Sequence, residues 1–163
     1  MNQINRNIEL ILASLGFILV ICYYLIFGVD GKIFLGLLGT IATLFFGSIK
    51  YRIENDKLFK ELFQEFNSRY DLRFNDLINE LKYDNGRKLT KDERNLIIDY
   101  LNLCSEEYLW RSRNRIPKKV WNSWKAGIKE NLCIKQVEEI YKKEISSING
   151  RISFYGLDEE LKK

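Results

Sequence analysis

Two long stretches without charge, near the amino terminus, constrain this chain more than any other feature. Twenty consecutive uncharged residues occupy positions 10–29, and a further seventeen occupy positions 33–49. At about 1.5 Å of rise per residue, twenty helical residues extend roughly 30 Å, the thickness of the hydrocarbon core of a bilayer. The second stretch is at the short end of the spanning range, and Lys32 and Lys50 at its ends can reach towards the interface. The sequence therefore predicts two transmembrane helices joined as a tight hairpin.

Two other interpretations of these stretches are less consistent with the sequence. Two buried helices of a soluble protein would require most of both stretches to be hidden inside a chain of 163 residues. A cleavable signal peptide is disfavoured because the first stretch is too long and lacks an A-x-A end. Beyond Lys50 no uncharged run is as long. We therefore predict an all-α protein, with a transmembrane hairpin over residues 1–50 (spans at about 10–29 and 33–49) and a small helical domain over residues 51–163.

Basic residues near the ends of the spans predict the orientation. The loop between the spans has only Lys32, which stands close to Asp30. The flanks on the other side of the membrane carry more positive charge, from Arg6 before the first span and from Lys50, Arg52, Lys57 and Lys60 after the second. The positive-inside rule then places both termini in the cytoplasm. Three isolated cysteines, none in a C-x-x-C pair, are typical of a reducing compartment.

Small residues form a stripe in the second span. Gly39, Thr43 and Gly47 are spaced four apart and share one helical face, and Gly36 and Thr40 lie beside them. Small residues at this spacing allow membrane helices to approach closely. The stripe has two possible uses: packing inside the hairpin, or self-association of several copies around a common axis with threonine hydroxyls facing a neighbour or a narrow pore. Neither span contains Asp, Glu, Lys, Arg or His, which disfavours a proton relay or a coupled transporter.

Apolar residues at helical spacing predict a series of helices after Lys50, the first of which continues from the second span as a stalk. The predicted boundaries are a break between Asn67 and Asn75, a turn at Asp84-Asn85-Gly86, a capping box of Thr90 and Glu93, a helix start at Pro117, and a last long helix that closes at Asn149-Gly150. The tail from Arg151 is expected to form a strand-like turn or a short helix.

The sequence shows no pattern typical of an enzyme. It contains no histidine and no glycine-rich phosphate loop, which removes most metal and acid–base chemistry. Asp99, Glu106 and Glu107 are the best carboxylate cluster, and on an amphipathic helix we expect them to be solvated or paired with nearby arginines. We therefore expect no catalytic residue, no metal and no cofactor.

The stretch WRSRNRIPKKVWNSWKAGIK, residues 110–129, is the strongest candidate for a binding site. It contains all three tryptophans of the chain and seven lysines or arginines, and no acidic residue. Arginine forks and lysine ammonium groups at the start of a helix suit phosphate, and each tryptophan face can stack a base for about 1–3 kcal/mol. The candidate ligand-binding residues are Trp110, Arg111, Arg113, Arg115, Lys118, Lys119, Trp121, Trp124 and Lys125.

The same stretch also has a structural interpretation. Trp121 and Trp124 stand three apart, with Val120 and Ile128 at the spacing of a stripe that faces a hydrophobic core. The arginines have two alternative uses, which are pairing with Glu106 and Glu107 or contact with anionic lipid headgroups. The sequence leaves open whether the tryptophans face solvent or the core.

Three segments carry a resemblance to small bacterial membrane proteins: FNSRYD (66–71), DYLNLCSEEYLW (99–110) and VWNSWKAGI (120–128). With its two spans, short outer loop and helical domain, the chain resembles membrane effectors of bacterial antiphage systems, and most closely the channel-forming subunit of the Hailong system. In that family a nucleotidyltransferase makes oligodeoxyadenylate, which holds the channel closed until infection removes it. The chain is also similar to the cyclic-oligoadenylate-binding membrane effector of type III CRISPR systems.

The resemblance implies an antiviral, abortive-infection protein of the bacterial inner membrane that forms an ion channel or disrupts the membrane. It implies a homo-oligomer, expected to be a tetramer, in contact with lipid, and a nucleotidyltransferase encoded nearby. The arginines and lysines at 111–119 would meet the phosphates of a nucleotide or single-stranded oligonucleotide, and Trp110 or Trp121 would meet bases. The alternative is a membrane anchor without a channel, whose helical domain recruits a protein partner or anionic lipid.

Overall fold

The computed structural model describes residues 3–28 and 30–163, with side chains from Ile8 onward. Every regular element in this part of the chain is an α-helix, which confirms the expected all-α class. The helices are α1 (Gln3–Phe27), α2 (Gly31–Arg73), α3 (Asn75–Tyr83), α4 (Lys91–Ser112), α5 (Lys118–Asn131), α6 (Lys135–Glu144), α7 (Ile148–Ser153) and α8 (Leu157–Lys162). The side chain of Arg6 and the predicted end of the first span at Val29 lie outside the described residues.

The chain divides into two compact units, which we call the N-terminal unit (Met1–Lys57) and the C-terminal unit (Leu58–Lys163). The division falls inside α2, seven residues beyond the boundary predicted after residue 50. α2 is one helix of 43 residues, so the helix of the second predicted span continues without interruption beyond Lys50.

The N-terminal unit is an antiparallel pair formed by α1 and the first part of α2. Next to the connection, the rings of Tyr24 and Phe34 lie 4.4 Å apart. Midway along, Gly16 approaches Ile41. At the far end, Arg52 Nη1 donates to Glu9 Oε2 at 2.6 Å. Both helices are long and apolar enough to cross a membrane, and their apolar windows are not buried within the chain.

The connection between the two helices is fixed by its own residues. Gly28 adopts a left-handed conformation with φ of +60°, and its N–H donates to the Tyr24 carbonyl at 3.0 Å. This glycine ends α1 at Phe27, two residues before the predicted end of the first span. Asp30 Oδ1 then accepts from the N–H of Lys32 at 2.7 Å and caps the start of α2.

The C-terminal unit is built around α4, which packs against α5, α6 and α8. Its core contains fully buried side chains from every part of the unit, among them Phe66, Phe74, Ile78, Leu81, Ile97, Leu101, Ile116, Val137 and Leu157. These residues recur at helical spacing along each amphipathic helix, and removing them from water drives the folding of the unit.

Most of the predicted helix boundaries agree with the structure. α2 ends at Arg73 and α3 begins at Asn75, inside the predicted break. Thr90 Oγ1 accepts from the N–H of Glu93 at 3.2 Å, and Glu93 Oε2 accepts from the N–H of Thr90 at 2.8 Å. The predicted capping box is therefore confirmed. α5 begins directly after Pro117.

The prediction of one last long helix that closes at Asn149-Gly150 is wrong. α6 ends at Glu144, and Gly150 lies inside the short helix α7. A Cβ atom at Gly150 would overlap the carbonyl oxygen of Glu144. The glycine is therefore required by close packing of the backbone, and the tail after α7 forms the short helix α8.

Candidate anion-binding site

The basic stretch 110–129 forms the end of α4, a connector and α5. α4 extends to Ser112, and Arg111 therefore lies in its last turn. Asn114 adopts a left-handed conformation with φ of 57°, which asparagine tolerates better than most residues. Lys118 and Lys119 occupy the first turn of α5, as predicted, and both are exposed.

The tryptophans of the stretch pack against the protein itself. Trp121 is 2% exposed and its ring lies 5.5 Å from that of Tyr108. The prediction that Trp121 stacks bases is therefore wrong, since neither face is open, and the core interpretation is correct for this residue. Trp124 is half-buried and stacks on Phe63 at 5.7 Å. The guanidinium of Arg113 lies over the ring of Trp110, 5.6 Å from its centroid.

Several cations of the stretch also have partners inside the unit. Lys125 Nζ lies 3.0 Å from Glu160 Oε1, and Trp121 Nε1 donates to the same oxygen at 3.3 Å. Burial opposes the ionisation of Glu160, but hydrogen bonds from Lys125, Trp121 and Lys163 outweigh it and lower the pKa to about 2. Arg111 Nη1 donates to the Ile116 carbonyl at 2.9 Å and closes the connector. Lys125 therefore links α5 to α8, and Arg111 links the end of α4 to the connector, roles that were not expected of ligand-binding residues.

A polar hollow of about 270 Å³ remains beside the stretch, and we call it the α5 hollow. It brings together only three of the nine predicted residues, Arg111, Lys118 and Trp121. Glu160 lines the same hollow, and its carboxylate offsets part of the positive charge. Trp110 and Trp124 do not line it.

The predicted carboxylate cluster separates into two kinds of environment. Asp99 pairs with Arg73 at 2.8 Å and Glu106 pairs with Arg69 at 2.6 Å, as expected for surface carboxylates. Glu107 is 8% exposed and lines a separate cleft of about 240 Å³ beside Trp124. Its burial raises its pKa to about 8. The prediction that Glu107 is solvated or ion-paired is therefore wrong, because desolvation keeps this carboxyl largely protonated near neutral pH.

In the N-terminal unit, the small-residue stripe faces away from α1. A Cβ atom built at Gly36, Gly39 or Gly47 would meet nothing within 4 Å. At about 100° per residue, the stripe lies on roughly the opposite side of α2 from Phe34, Ile41 and the other residues half-buried against α1. Packing within one hairpin does not use this face.

The threonine hydroxyls of the stripe bind to their own helix. Thr40 Oγ1 donates to the Gly36 carbonyl at 2.9 Å, and Thr43 Oγ1 donates to the Gly39 carbonyl at 2.8 Å. These hydrogen bonds satisfy the hydroxyls without a neighbour. The stripe therefore presents small, internally satisfied residues on an uncovered face of α2.

A second basic region is visible only in the structure. It is a cleft of about 490 Å³ between the loop after α3, the start of α4 and one side of α6, and we call it the basic cleft. Its lining contains five cationic side chains and one carboxylate, from Arg87, Lys88, Arg94, Lys135, Lys143 and Glu139. Gly86, Gln136 and the apolar side chains of Leu89 and Ile140 complete the lining.

Only one cation of the basic cleft is neutralised by a partner. Arg87 forms two hydrogen bonds with Glu93, at 2.6 and 3.0 Å. Hydrogen bonds from Arg87 and from the backbone of Thr90 lower the pKa of Glu93 to about 2, which keeps this pair ionised. The other four cations are exposed and make no ion pair within the described residues.

The carboxamide of Gln136 is incompletely satisfied. Gln136 is 5% exposed, and its Nε2 donates to the carbonyls of Asp84 and Arg87 at 3.3 and 3.2 Å. Because both partners accept, the amide cannot be reversed, and its Oε1 must point away from them. Within the described part of the chain, this oxygen is a buried side-chain atom that has no hydrogen-bond partner. Leaving a buried acceptor unpaired costs about 1–3 kcal/mol.

The sequence does not reveal the basic cleft because its residues come from two segments, 86–94 and 135–143, that are far apart in the chain. Arg87 and Lys88 are adjacent, Arg94 follows on the next helix, and Lys135 and Lys143 belong to α6. The only local signal is that Lys135 and Lys143 are eight apart and therefore share a helical face. That signal alone is ordinary for a solvated helix.

Comparison of the chain with protein-family models, curated proteins and solved structures gave no match. Among the described residues, no group of three His, Cys, Asp or Glu side chains is arranged to hold a metal ion. The fold and the sites therefore define a class only in physical terms: an exposed apolar helical hairpin in the same chain as a helical unit that carries a basic cleft.

Proposed function

We propose that this chain is a membrane effector of bacterial antiphage defence. In this proposal, several copies associate in the inner membrane, and their hairpins form an ion-conducting or membrane-disrupting path. The C-terminal unit lies in the cytoplasm and binds an anionic nucleotide or oligonucleotide that gates the path. The observation that carries the proposal is the uncovered small-residue face of α2 on an apolar hairpin.

The exposed surface of the hairpin supports a membrane location. Large apolar side chains cover α1 and the first part of α2, including Leu12, Leu19, Leu25, Ile26, Leu35 and Leu44, each more than 60% exposed. A continuous apolar surface of this kind is rare on a soluble monomer and is favourable in lipid. The Arg52–Glu9 ion pair lies at one end of the hairpin, where an interface would solvate it.

The small-residue face supports association of several copies. Lipid gives no hydrophobic drive between helices, and close packing at small residues is a main source of helix–helix affinity in membranes. Gly36, Gly39 and Gly47 make no such contact within one hairpin. A neighbouring copy that packed on this face would bring the same residues together around a shared axis. The expected tetramer rests on the resemblance described above.

The C-terminal unit supports one part of the proposed ligand binding, which is contact with phosphate. Lys118 and Lys119 are exposed at the start of α5, and Arg111 and Lys118 share the α5 hollow. These groups suit phosphate. The tryptophans contribute packing instead of base stacking, so the recognition of bases has no support in this region. An oligodeoxyadenylate ligand and a neighbouring nucleotidyltransferase remain proposals that rest on the resemblance.

The test combines oligomeric state with ion flux. The purified full-length chain is examined by native mass spectrometry and is then reconstituted into liposomes loaded with a potassium-sensitive dye. We expect an oligomer that conducts, and we expect Gly39→Leu and Gly47→Leu to lower both the oligomer fraction and the flux. Gly31→Leu, which adds the same side chain outside the stripe at a glycine whose added Cβ would meet nothing within 4 Å, is the matched control and should change neither. A wild-type chain that stays monomeric and passes no ions would contradict the proposal.

A second candidate function is a membrane anchor that recruits a protein partner or anionic lipid. The observation in its favour is that Trp121, Lys125 and Arg111 are engaged inside the unit and are therefore less available to a nucleotide. Replacing residues 1–50 by an unrelated two-span hairpin distinguishes the two functions. An anchor keeps its phage-protection phenotype after this exchange, whereas a channel loses it.

A further inference from the structure

We propose that the basic cleft is a binding site for a small phosphorylated ligand that also carries an N–H or O–H donor. The site is separate from the α5 hollow, where the sequence placed the ligand. It does not depend on the proposed channel, because it is formed entirely by residues of the C-terminal unit.

The charge of the cleft is the first argument. The whole chain has a formal net charge of +4, and four cations without an ion pair in the described residues surround this one concave space. The four are Lys88, Arg94, Lys135 and Lys143. Cations held close together repel one another, and a low-dielectric wall strengthens the field that they produce. An anion in the cleft relieves this repulsion, which favours its binding.

The shape and the donors of the cleft are the second argument. Its volume of about 490 Å³ falls within the range of about 300–1,000 Å³ that is typical of small-molecule sites. Arg94 offers a planar fork for phosphate oxygens, and the three lysines add point charges. The cleft includes residues of the first turn of α6, a helix of 10 residues whose dipole adds to the attraction for an anion, although Asn85 Oδ1 already accepts from the N–H of Lys135 at 3.1 Å.

Gln136 determines the second feature of the ligand. Its amide nitrogen is held by two backbone carbonyls, and its Oε1 is left as an acceptor without a partner. A sulfate ion has only acceptors to offer at neutral pH and cannot pair with this oxygen, and the O–H donor of a phosphate ion lies on the anionic group itself. A ligand with an amino or hydroxyl group next to its phosphate can satisfy both features. Leu89 and Ile140 provide apolar surface for its remaining part.

Glu139 points to the same kind of ligand. It lies between Lys135 and Lys143 at a spacing of four residues on α6, yet it forms no ion pair with either within the described residues. The neighbouring Glu138 does pair, with Lys142 at 2.7 Å. A free carboxylate among cations weakens the binding of a simple anion and accepts a hydrogen bond from a donor-bearing ligand. A nucleotide is one ligand of this chemistry.

The first experiment measures binding of ATP and of inorganic pyrophosphate to the full-length chain in nanodiscs of phosphatidylcholine, by isothermal titration calorimetry. We expect saturable binding of both probes, with ATP about fivefold tighter because its amino and ribose hydroxyl groups supply donors outside the phosphates. The double variant Lys135→Gln/Lys143→Gln should weaken ATP binding by about tenfold or more, through loss of two charge-assisted contacts.

Two controls separate the cleft from its surroundings. Lys142→Gln removes the same charge from α6 outside the cleft, and Lys129→Gln removes it from α5 outside both the cleft and the α5 hollow. Each should change the affinity for ATP by less than about twofold, since surface charges outside a site contribute little. Equal weakening by the controls and by the cleft variant would overturn the proposal, and so would the absence of saturable binding. Equal affinities for ATP and pyrophosphate would overturn the requirement for a donor.

A second titration tests whether the phosphate that binds in the cleft belongs to a lipid headgroup or to a soluble ligand. The titration is repeated in nanodiscs that contain phosphatidylglycerol, whose headgroup carries both a phosphate and hydroxyl groups. Loss of ATP binding there, together with its retention in phosphatidylcholine, supports a lipid headgroup as the natural occupant. Unchanged ATP affinity supports a soluble ligand. Oligomeric state and ion flux are measured on the same samples, so failure of the cleft and failure of the proposed channel are recorded independently.

Discussion

The two basic regions of the C-terminal unit differ in how many of their cations already have partners, and this difference is not visible in the sequence. The stretch 110–129 concentrates seven cations and three tryptophans in twenty residues, and the structure engages several of them inside the unit. The basic cleft gathers its cations from two distant segments and leaves four of them without an ion pair in the described part of the chain. A dense run of charge in the sequence is therefore a poor guide to charge that is available to a ligand.

The physical reason for this difference lies in the partners of each region. The stretch 110–129 packs next to α8, whose Glu160 accepts from both Lys125 and Trp121. The segments of the cleft bring one acidic side chain to their lining, and that carboxylate makes no ion pair within the described residues. Substitutions in the first region should therefore affect stability, and substitutions in the second should affect binding.

The largest expected effect is that of Trp121→Ala. Because this side chain is 2% exposed, its truncation should destabilise the C-terminal unit by about 3–5 kcal/mol. The measurement is urea unfolding of the detergent-solubilised chain, followed by circular dichroism. Lys118→Ala, three residues earlier and exposed, is the control and should change stability by less than about 0.5 kcal/mol. Similar midpoints for the two variants would mean that Trp121 is not part of the core.

The second-largest expected effect is a change in stability with pH that is caused by Glu107, which lies beside Trp124. In the folded state its pKa is raised from 4.5 to about 8. Between these two pH values the folded chain therefore keeps a proton on this carboxyl, whereas the unfolded chain has released it. Stability should therefore fall as the pH rises through this window, by up to about 1.4 kcal/mol per unit from this group. Glu107→Gln should stabilise the chain at pH 8 and flatten this part of the profile. A variant whose profile matches that of the wild type would exclude a protonated Glu107.

Glu160 should give a slope of the opposite sign at lower pH. Its pKa is lowered to about 2 from 4.5, so its ion pair stabilises the fold above pH 4.5 and is lost as the pH falls towards 2. Glu160→Gln should cost about 2 kcal/mol at pH 6 and much less near pH 2. Unfolding midpoints measured from pH 2 to 6 test this. Glu159→Gln, an exposed neighbour, is the control. A constant difference between variant and wild type across this range would contradict the assignment.

The smallest expected effect is that of the cleft cations on stability. Lys135→Gln or Lys143→Gln should leave the unfolding midpoint unchanged or raise it by a few tenths of a kcal/mol, because each relieves repulsion without breaking an ion pair. The gain should shrink as salt is added, since salt screens exposed charges. A clear loss of stability in either variant would show that the cleft, like the stretch 110–129, serves the fold.

Local patterns predicted much of the fold. The capping box at Thr90 and Glu93, the break before Asn75 and the helix start after Pro117 all depend on residues within a few positions of one another. The end of α6 was mispredicted because Gly150 meets the Glu144 carbonyl through a close approach that sequence spacing does not reveal. The same limit applies to Glu107, which shares its helix with the paired Glu106 but turns into a cleft.

The sequence by itself determined the helical class, the apolar hairpin and most helix boundaries, because these follow from periodicity, capping and turn residues along the chain. Only the tertiary structure decided which tryptophans are buried, which cations have partners and where cations without partners meet. Those properties depend on distances between segments that are far apart in sequence, such as α5 with α8 and the loop after α3 with α6. Burial and pairing are set by these distances, and they determine which charges remain for a ligand.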